Sequence, residues 1–214
     1  MLKKNGSKLL VILSSFVVIT GGIVYYSGHT SKAKDKNVTV NSSSKTKNNT
    51  RTVIHSDKPV YNDIQEITKL ADAVFIGTVI DVAGTRNLAR NPQNPDEEDQ
   101  SVYIEGVDYN VKVEEFLKGN DNKDLLVTEE RNVQLNKSDK PVKNEYYIGL
   151  ENGQQYIFFA NKSESTGRYY AVGEPFFFEL KNNKVKVKSN DEEIRNLFKE
   201  SDLSSFKEKV KSSK

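Results

Sequence analysis

Between Val107 and Glu114 the chain alternates with a period of two. Val107, Tyr109, Val111 and Val113 fall on one side, and Asp108, Asn110, Lys112 and Glu114 on the other. That period belongs to a strand with one buried face. Two further runs, Val74–Val82 (VFIGTVIDV) and Gln154–Ala160 (QQYIFFA), are apolar on both faces, as a strand covered on both sides requires. Gly77, in the middle of the first run, is expected to mark a bulge or a bend. Asp124–Leu135 reads as one or two more strands, and Arg168–Gly173 as another. Phe176–Leu180 and Lys184–Lys188 pair as a hairpin about Lys181-Asn182-Asn183, and Val185 and Val187 among lysines suggest a solvated edge. Gly119-Asn120 and Asn152-Gly153 supply turns. Residues 84–101, with Asn91-Pro92 and Asn94-Pro95, read as a long loop. Ile64, Ile67, Leu70 and Ala71 follow helical spacing behind Asn62 or Asp63 as cap. A second helical stretch starts at Asn190 or Asp191, with Ile194, Leu197 and Phe198 on one stripe. Leu203, Phe206 and Val210 follow a break near Ser201-Asp202. These elements predict a mainly β domain over residues 61–188, a small closed or half-closed β-barrel with flanking helices, and a C-terminal helix over 189–214.

The first sixty residues are of another kind. Leu9 to Gly28 holds no charge, follows Lys3, Lys4 and Lys8, and leads into a lysine-rich polar stretch. A basic start, an apolar run and a polar exit mark a segment for export. Its length matches the roughly 20 residues of a membrane span, and Tyr25 and Tyr26 fall where an interfacial aromatic belt sits. Gly21-Gly22 and Ser31-Lys32-Ala33 are instead what a cleaved leader would carry. Residues 1–28 are therefore expected to be a transmembrane anchor, with a cleaved signal peptide as the alternative, and the domain to lie outside the membrane or to be secreted. Residues 29–60 are too poor in apolar groups to offset their ordering entropy and read as a disordered polar tether. Residues 1–60 carry ten Lys or Arg and two Asp or Glu, which leaves 22 and 28 for residues 61–214. The net charges are +8 and −6, so the basic excess lies outside the domain, and nucleic acid is not expected as a partner.

Little catalytic material is present. The chain has no cysteine, so disulfides, thiolate metal sites and a lipid-anchored N-terminal cysteine are excluded. Its two histidines, His29 and His55, precede the domain, which removes the material for a histidine-based triad or a His-ligated metal. No cofactor is expected. Asp96, Glu97, Glu98 and Asp99 lack the spacing and glycine of a calcium loop and read as a solvated acidic loop, a candidate interaction loop. In Glu114-Glu115 and Glu129-Glu130, neighbours on a strand point to opposite faces, so each pair reads as surface charge rather than as convergent catalytic carboxylates. Aromatic residues are mostly core, yet runs such as Phe176–Phe178 must send some rings outward. Tyr146, Tyr147, Tyr169, Tyr170 and Phe177 form the candidate binding face.

The order LADAVFIGTVIDV, YNVKVEEFLKGN, LLVTEE and NGQQYIFFA resembles bacterial extracytoplasmic proteins with a TIMP-like OB-fold. The matching residues are Ala71-Asp72, Val74–Val79, Val113–Gly119 and Gly153–Phe159, within roughly residues 64–180. The resemblance implies an OB-like β-barrel and carries no functional residues. Inhibitors of this fold chelate zinc through an N-terminal cysteine, which this chain lacks. The expectation is a non-enzymatic binding or interaction module outside a Gram-positive membrane, with an unknown envelope protein or glycan as partner. The alternatives are a carboxylate-based cell-wall enzyme and a secreted protease inhibitor acting through residues 86–100.

Overall fold

A computed structural model describes residues 59–175 and 177–213. The Leu9–Gly28 run, the tether up to residue 58, both histidines and Phe176 lie outside the described residues. Among the described residues, no helix is long and apolar enough to cross a membrane.

The chain is mainly β. Its elements run α1 (Ile64–Leu70), β1 (Ala73–Asn87), β2 (Arg90–Asn91), β3 (Asn94–Glu98), β4 (Tyr103–Lys118), β5 (Asp124–Gln134), β6 (Val142–Lys143), β7 (Gln155–Lys162), β8 (Tyr169–Ala171), β9 (Phe177–Lys181), β10 (Lys184–Lys188), α2 (Glu192–Leu197), β11 (Ser201–Asp202) and α3 (Leu203–Lys211). Strand β1 pairs antiparallel with β4 and with β7, and β4 with β5. Strand β8 then joins β5 in parallel and β7 antiparallel, so the pairings close a five-strand ring β1–β4–β5–β8–β7. Along the edge of β7 that carries β8, residues 155–158 instead pair with β9, which continues the sheet into β10 and β11.

The runs that are apolar on both faces serve two cores. Phe75 and Val79 of β1, with Tyr156 and Phe158 of β7, belong to a cluster that also takes Val107, Tyr109, Val111, Val113, Val127, Tyr169 and Phe177. The alternate residues, Val74, Ile76, Ile157 and Phe159, join Phe178, Leu180, Val185 and Val187 and the apolar faces of the three helices. Phe178 therefore points away from the first core yet is covered, its ring 5.0 Å from that of Phe206 on α3. The expectation that the Phe176–Phe178 run exposes a ring does not hold for Phe177 or Phe178, which are both buried.

Local chemistry explains the boundaries. Asp63 caps α1, its carboxylate accepting from the Glu66 N–H at 2.7 Å, and Asp191 does the same for α2 through Glu193 at 2.7 Å. The β9–β10 turn is made by Asn182 and Asn183, both at positive φ, as a tight hairpin demands. Gly77 sits beside a register shift between β1 and β4, and a Cβ there would lie 2.6 Å from Val111. The bend expected at this glycine thus coincides with a close packing contact.

One expectation changes outright and one in part. Residues 84–101 are largely β-structure: β1 runs on to Asn87, and β2 and β3 form a small hairpin. The β10 edge is covered at its start only, where β11 pairs with Lys184 and Val185. The break expected near Ser201-Asp202 is present: α2 and α3 are separate helices, and β11 lies between them with sheet partners for its backbone.

Candidate functional site

A polar cluster is built on the outer side of the ring. In register, Asp108 of β4 faces Thr128 of β5, and Thr128 faces Tyr170 of β8. The residues between them in sequence, Val107, Tyr109, Val127 and Tyr169, fill the ring interior. By the two-residue period of a strand, Asp108, Thr128, Arg168 and Tyr170 therefore share the outer face. Asp108 is nonetheless buried, 5 % exposed, because side chains close over it. Arg86, from the far end of β1, donates through Nε to both carboxylate oxygens at 3.4 and 3.2 Å. Arg168 Nε donates to Oδ2 at 2.9 Å, and the Thr128 hydroxyl donates to Oδ1 at 2.5 Å. Arg86 also donates from a terminal nitrogen to the Tyr170 hydroxyl and lies 5.7 Å from that ring's centroid. Four ring strands and the residue preceding β8 thus gather two cations about one carboxylate.

Arg86 is also part of the wall of an open groove of about 560 Å³ at the end of the β1–β4 ribbon. Asn87, Gln100, Tyr103, Gln134 and Lys137 contribute to the same groove, with Glu98 of β3 on its rim. Tyr103 is 37 % exposed, an aromatic surface beside several amide donors and acceptors. The Asn87 side chain donates to the carbonyls of Asp99 and Val102 and accepts from the N–H groups of Ala89 and Ile104. One buried amide therefore holds the β1 end, the 99–102 loop and β4 together.

A second buried carboxylate faces the opposite way. Glu129 is 4 % exposed, next in sequence to Thr128. It accepts from the N–H of Ile148 at 2.5 Å and of Gly149 at 3.1 Å, and from the Tyr109 hydroxyl at 3.4 Å. Burial, the hydrogen bond with Tyr147 and the nearby Glu129 charge push the Tyr109 phenol far up. The surface-charge reading of Glu129 is thus overturned, since the 148–149 backbone folds over it. Glu130 turns to the Asn144 amide instead. Glu114 and Glu115 are both exposed, as the surface-charge reading expects, but the opposite-face argument fails for them. Ile76 pairs with Glu115 and Gly77 with Val113, so Glu114 is the extra residue of a bulge. Both glutamates line a shallower groove beside α3, where Glu114 accepts from Thr78 and Gln155 and Glu115 from Lys207.

The five aromatics of the expected binding face do not come together as one surface. Tyr169 and Phe177 are 3 % and 2 % exposed and lie in the ring interior. Burial, followed by the hydrogen bond to Asp121, raises the Tyr169 phenol, while the bond from Lys162 holds Asp121 down at about 2. Tyr146 and Tyr147 are half-buried against the interior core, the Tyr146 phenol pushed up to about 12 by burial and then by Glu145. Tyr170 alone of the five belongs to the arginine cluster. Asp96, Glu97 and Glu98 are exposed on β3, and Asp99 follows it, its carboxylate held down by the Ser101 hydroxyl and backbone N–H. Among the described residues, no group of three His, Cys, Asp or Glu side chains is placed to hold a metal ion.

Sequence reasoning passed over Asp108, Tyr103 and Arg168, and reached Arg86 only as the first residue of the 86–100 loop. A signal for two of them existed: the chain has only six arginines against 26 lysines. All five arginines of the described residues make defined hydrogen bonds, as suits a planar fork better than a flexible ammonium.

No protein-family model matches this chain, and no curated protein matches it.

Proposed function

We propose that this chain is a non-enzymatic binding module displayed outside a Gram-positive membrane, its domain an OB-like β-barrel held off the membrane by a polar tether. The observation that carries the reading is the groove lined by Arg86, Asn87 and Tyr103. Its lining offers an exposed ring, amides and a cation, a set suited to holding a polar ligand. The OB-like assignment is supported by the five-strand ring with its single parallel pair and by the sequence resemblance to TIMP-like proteins. The exterior location is supported by the uncharged Leu9–Gly28 run and the lysines before it.

Sedimentation of the full chain with isolated cell walls and with membranes tests the binding role. Retention by the envelope that is reduced by Tyr103→Ala is the expected result, and no retention on either fraction would sink it. Release of wall fragments, abolished by Glu114→Gln, would replace this reading with the carboxylate-enzyme alternative. Fractionation with sequencing of the mature N-terminus tests the anchor, which a soluble product starting near Lys34 would overturn.

A further inference from the structure

We propose that Arg86 and Arg168 form a seat for one oxyanion, a phosphate or carboxylate group carried by the ligand of the adjoining groove. This rests on the binding-module reading and names the chemistry it recognises.

The argument begins with charge. Two guanidinium groups share one carboxylate, Asp108, so the cluster carries one uncompensated positive charge. A single arginine would satisfy Asp108 with a fork of two hydrogen bonds, as Arg131 does for Glu105 elsewhere in the domain. Because Arg86 reaches Asp108 through Nε alone, the second arginine takes an acceptor site that the carboxylate still offers, as Asn132 does on Glu105. It adds a cation in a partly water-excluded place, the side chains of Arg86, Arg168 and Asp108 being 16 %, 28 % and 8 % exposed. Glu130, two residues beyond Thr128 on β5, does not supply the missing charge through any hydrogen bond to these arginines; it accepts from Asn144.

Geometry follows. Both Nε atoms donate to the same oxygen, Oδ2, which places them no more than about 6 Å apart. Arg86 Nη1 and both terminal nitrogens of Arg168 have no hydrogen-bond partner among the described residues. Guanidinium donors of this kind match the paired oxygens of phosphate and carboxylate. Asp108 and Tyr170 fix Arg86 in advance, so little side-chain entropy is lost on binding. The surrounding domain, at −6, disfavours an extended polyanion, and the seat therefore selects a single charged group on an otherwise polar ligand.

The test uses the full chain labelled with ¹⁵N at arginine, titrated by NMR with inorganic phosphate and, separately, with acetate. The Nε signals of Arg86 and Arg168 are expected to move together and saturably with at least one anion, while that of Arg195 stays still. Arg168→Gln should weaken binding about tenfold, and Arg168→Lys, which keeps the charge without the fork, by less. A thermal melt of each variant establishes that it is folded. Signals that fail to saturate, shifts shared equally by all arginines, or a folded Arg168→Gln that binds like the parent would each overturn the seat. Wall sedimentation separates the two claims. Equal retention of parent and Arg168→Gln leaves the binding module standing and removes the oxyanion, whereas no retention of the parent removes the module.

Discussion

Asp108 and Glu129 are both buried carboxylates on neighbouring strands of the same ring, and they are held by opposite means. Glu129 points inward and is held by backbone N–H groups of Ile148 and Gly149, donors that cannot leave without unfolding the segment. Asp108 points outward and is held by the side chains of Arg86, Arg168 and Thr128, which come from three separate places in the chain. The first arrangement spends every donor on structure. The second leaves guanidinium nitrogens without a hydrogen-bond partner among the described residues. Burial alone therefore does not mark a functional carboxylate; what matters is whether its partners have hydrogen-bonding capacity left over.

The sharpest way to break this comparison is Glu129→Ala. It takes the acceptor from two part-buried N–H groups and one partner from the Tyr109 hydroxyl, and a loss of ~3–4 kcal/mol in urea unfolding is expected. A loss below about 1 kcal/mol would show that water replaces the carboxylate and that the site is open. Asp108→Asn should cost less, ~1–3 kcal/mol, because its arginines are partly solvated and can turn outward. Added salt should shrink that cost, since screening relieves the repulsion between the two guanidinium groups, whereas the Glu129→Ala loss should be insensitive to salt. Equal salt sensitivity of the two variants would erase the distinction.

Smaller effects come with pH. Tyr109, Tyr146, Tyr156 and Tyr169 are all raised in the folded protein, chiefly by burial. The unfolded chain ionises these phenols first, so their contribution is complete below about pH 10 and is lost as pH rises through the folded values. Phe substitution at Tyr146, the one held near 12, should flatten part of that alkaline slope in a series of unfolding curves. At the acid end, Asp121 and Glu105 are lowered by Lys162 and Arg131. Their contribution is present above about pH 4 and falls away as pH drops toward 2. Asp121→Asn removes only one of these groups, so it should move the acid midpoint by only a few tenths of a pH unit.

Much of the β-structure was legible because its signals are local. The alternation from Val107, the two-faced apolar runs at Val74 and Gln154, and the Asn182-Asn183 turn each record a periodicity or a backbone preference that neighbouring residues share. The 84–101 segment was not legible. Its prolines and acids look like a loop, and it takes strand form because Leu88 pairs its N–H with Ile104 and the 94–98 arm folds back on Arg90 and Asn91. The bulge at Glu114 was equally hidden, since one extra residue in a ladder leaves no mark in the order of residue types and inverts the facing of everything before it.

By itself the sequence determined the division of the chain into a basic start with an uncharged run and an acidic domain, together with the absence of cysteine chemistry. It determined these because charge and composition are properties of the residues themselves. Tertiary structure alone decided which acids are buried and which cations stand beside them. Arg86 and Arg168 are 82 positions apart and meet only because β8 joins β5 in parallel to close the ring. A site assembled from four ring strands has no local period, and it exists only once the strands have found their register.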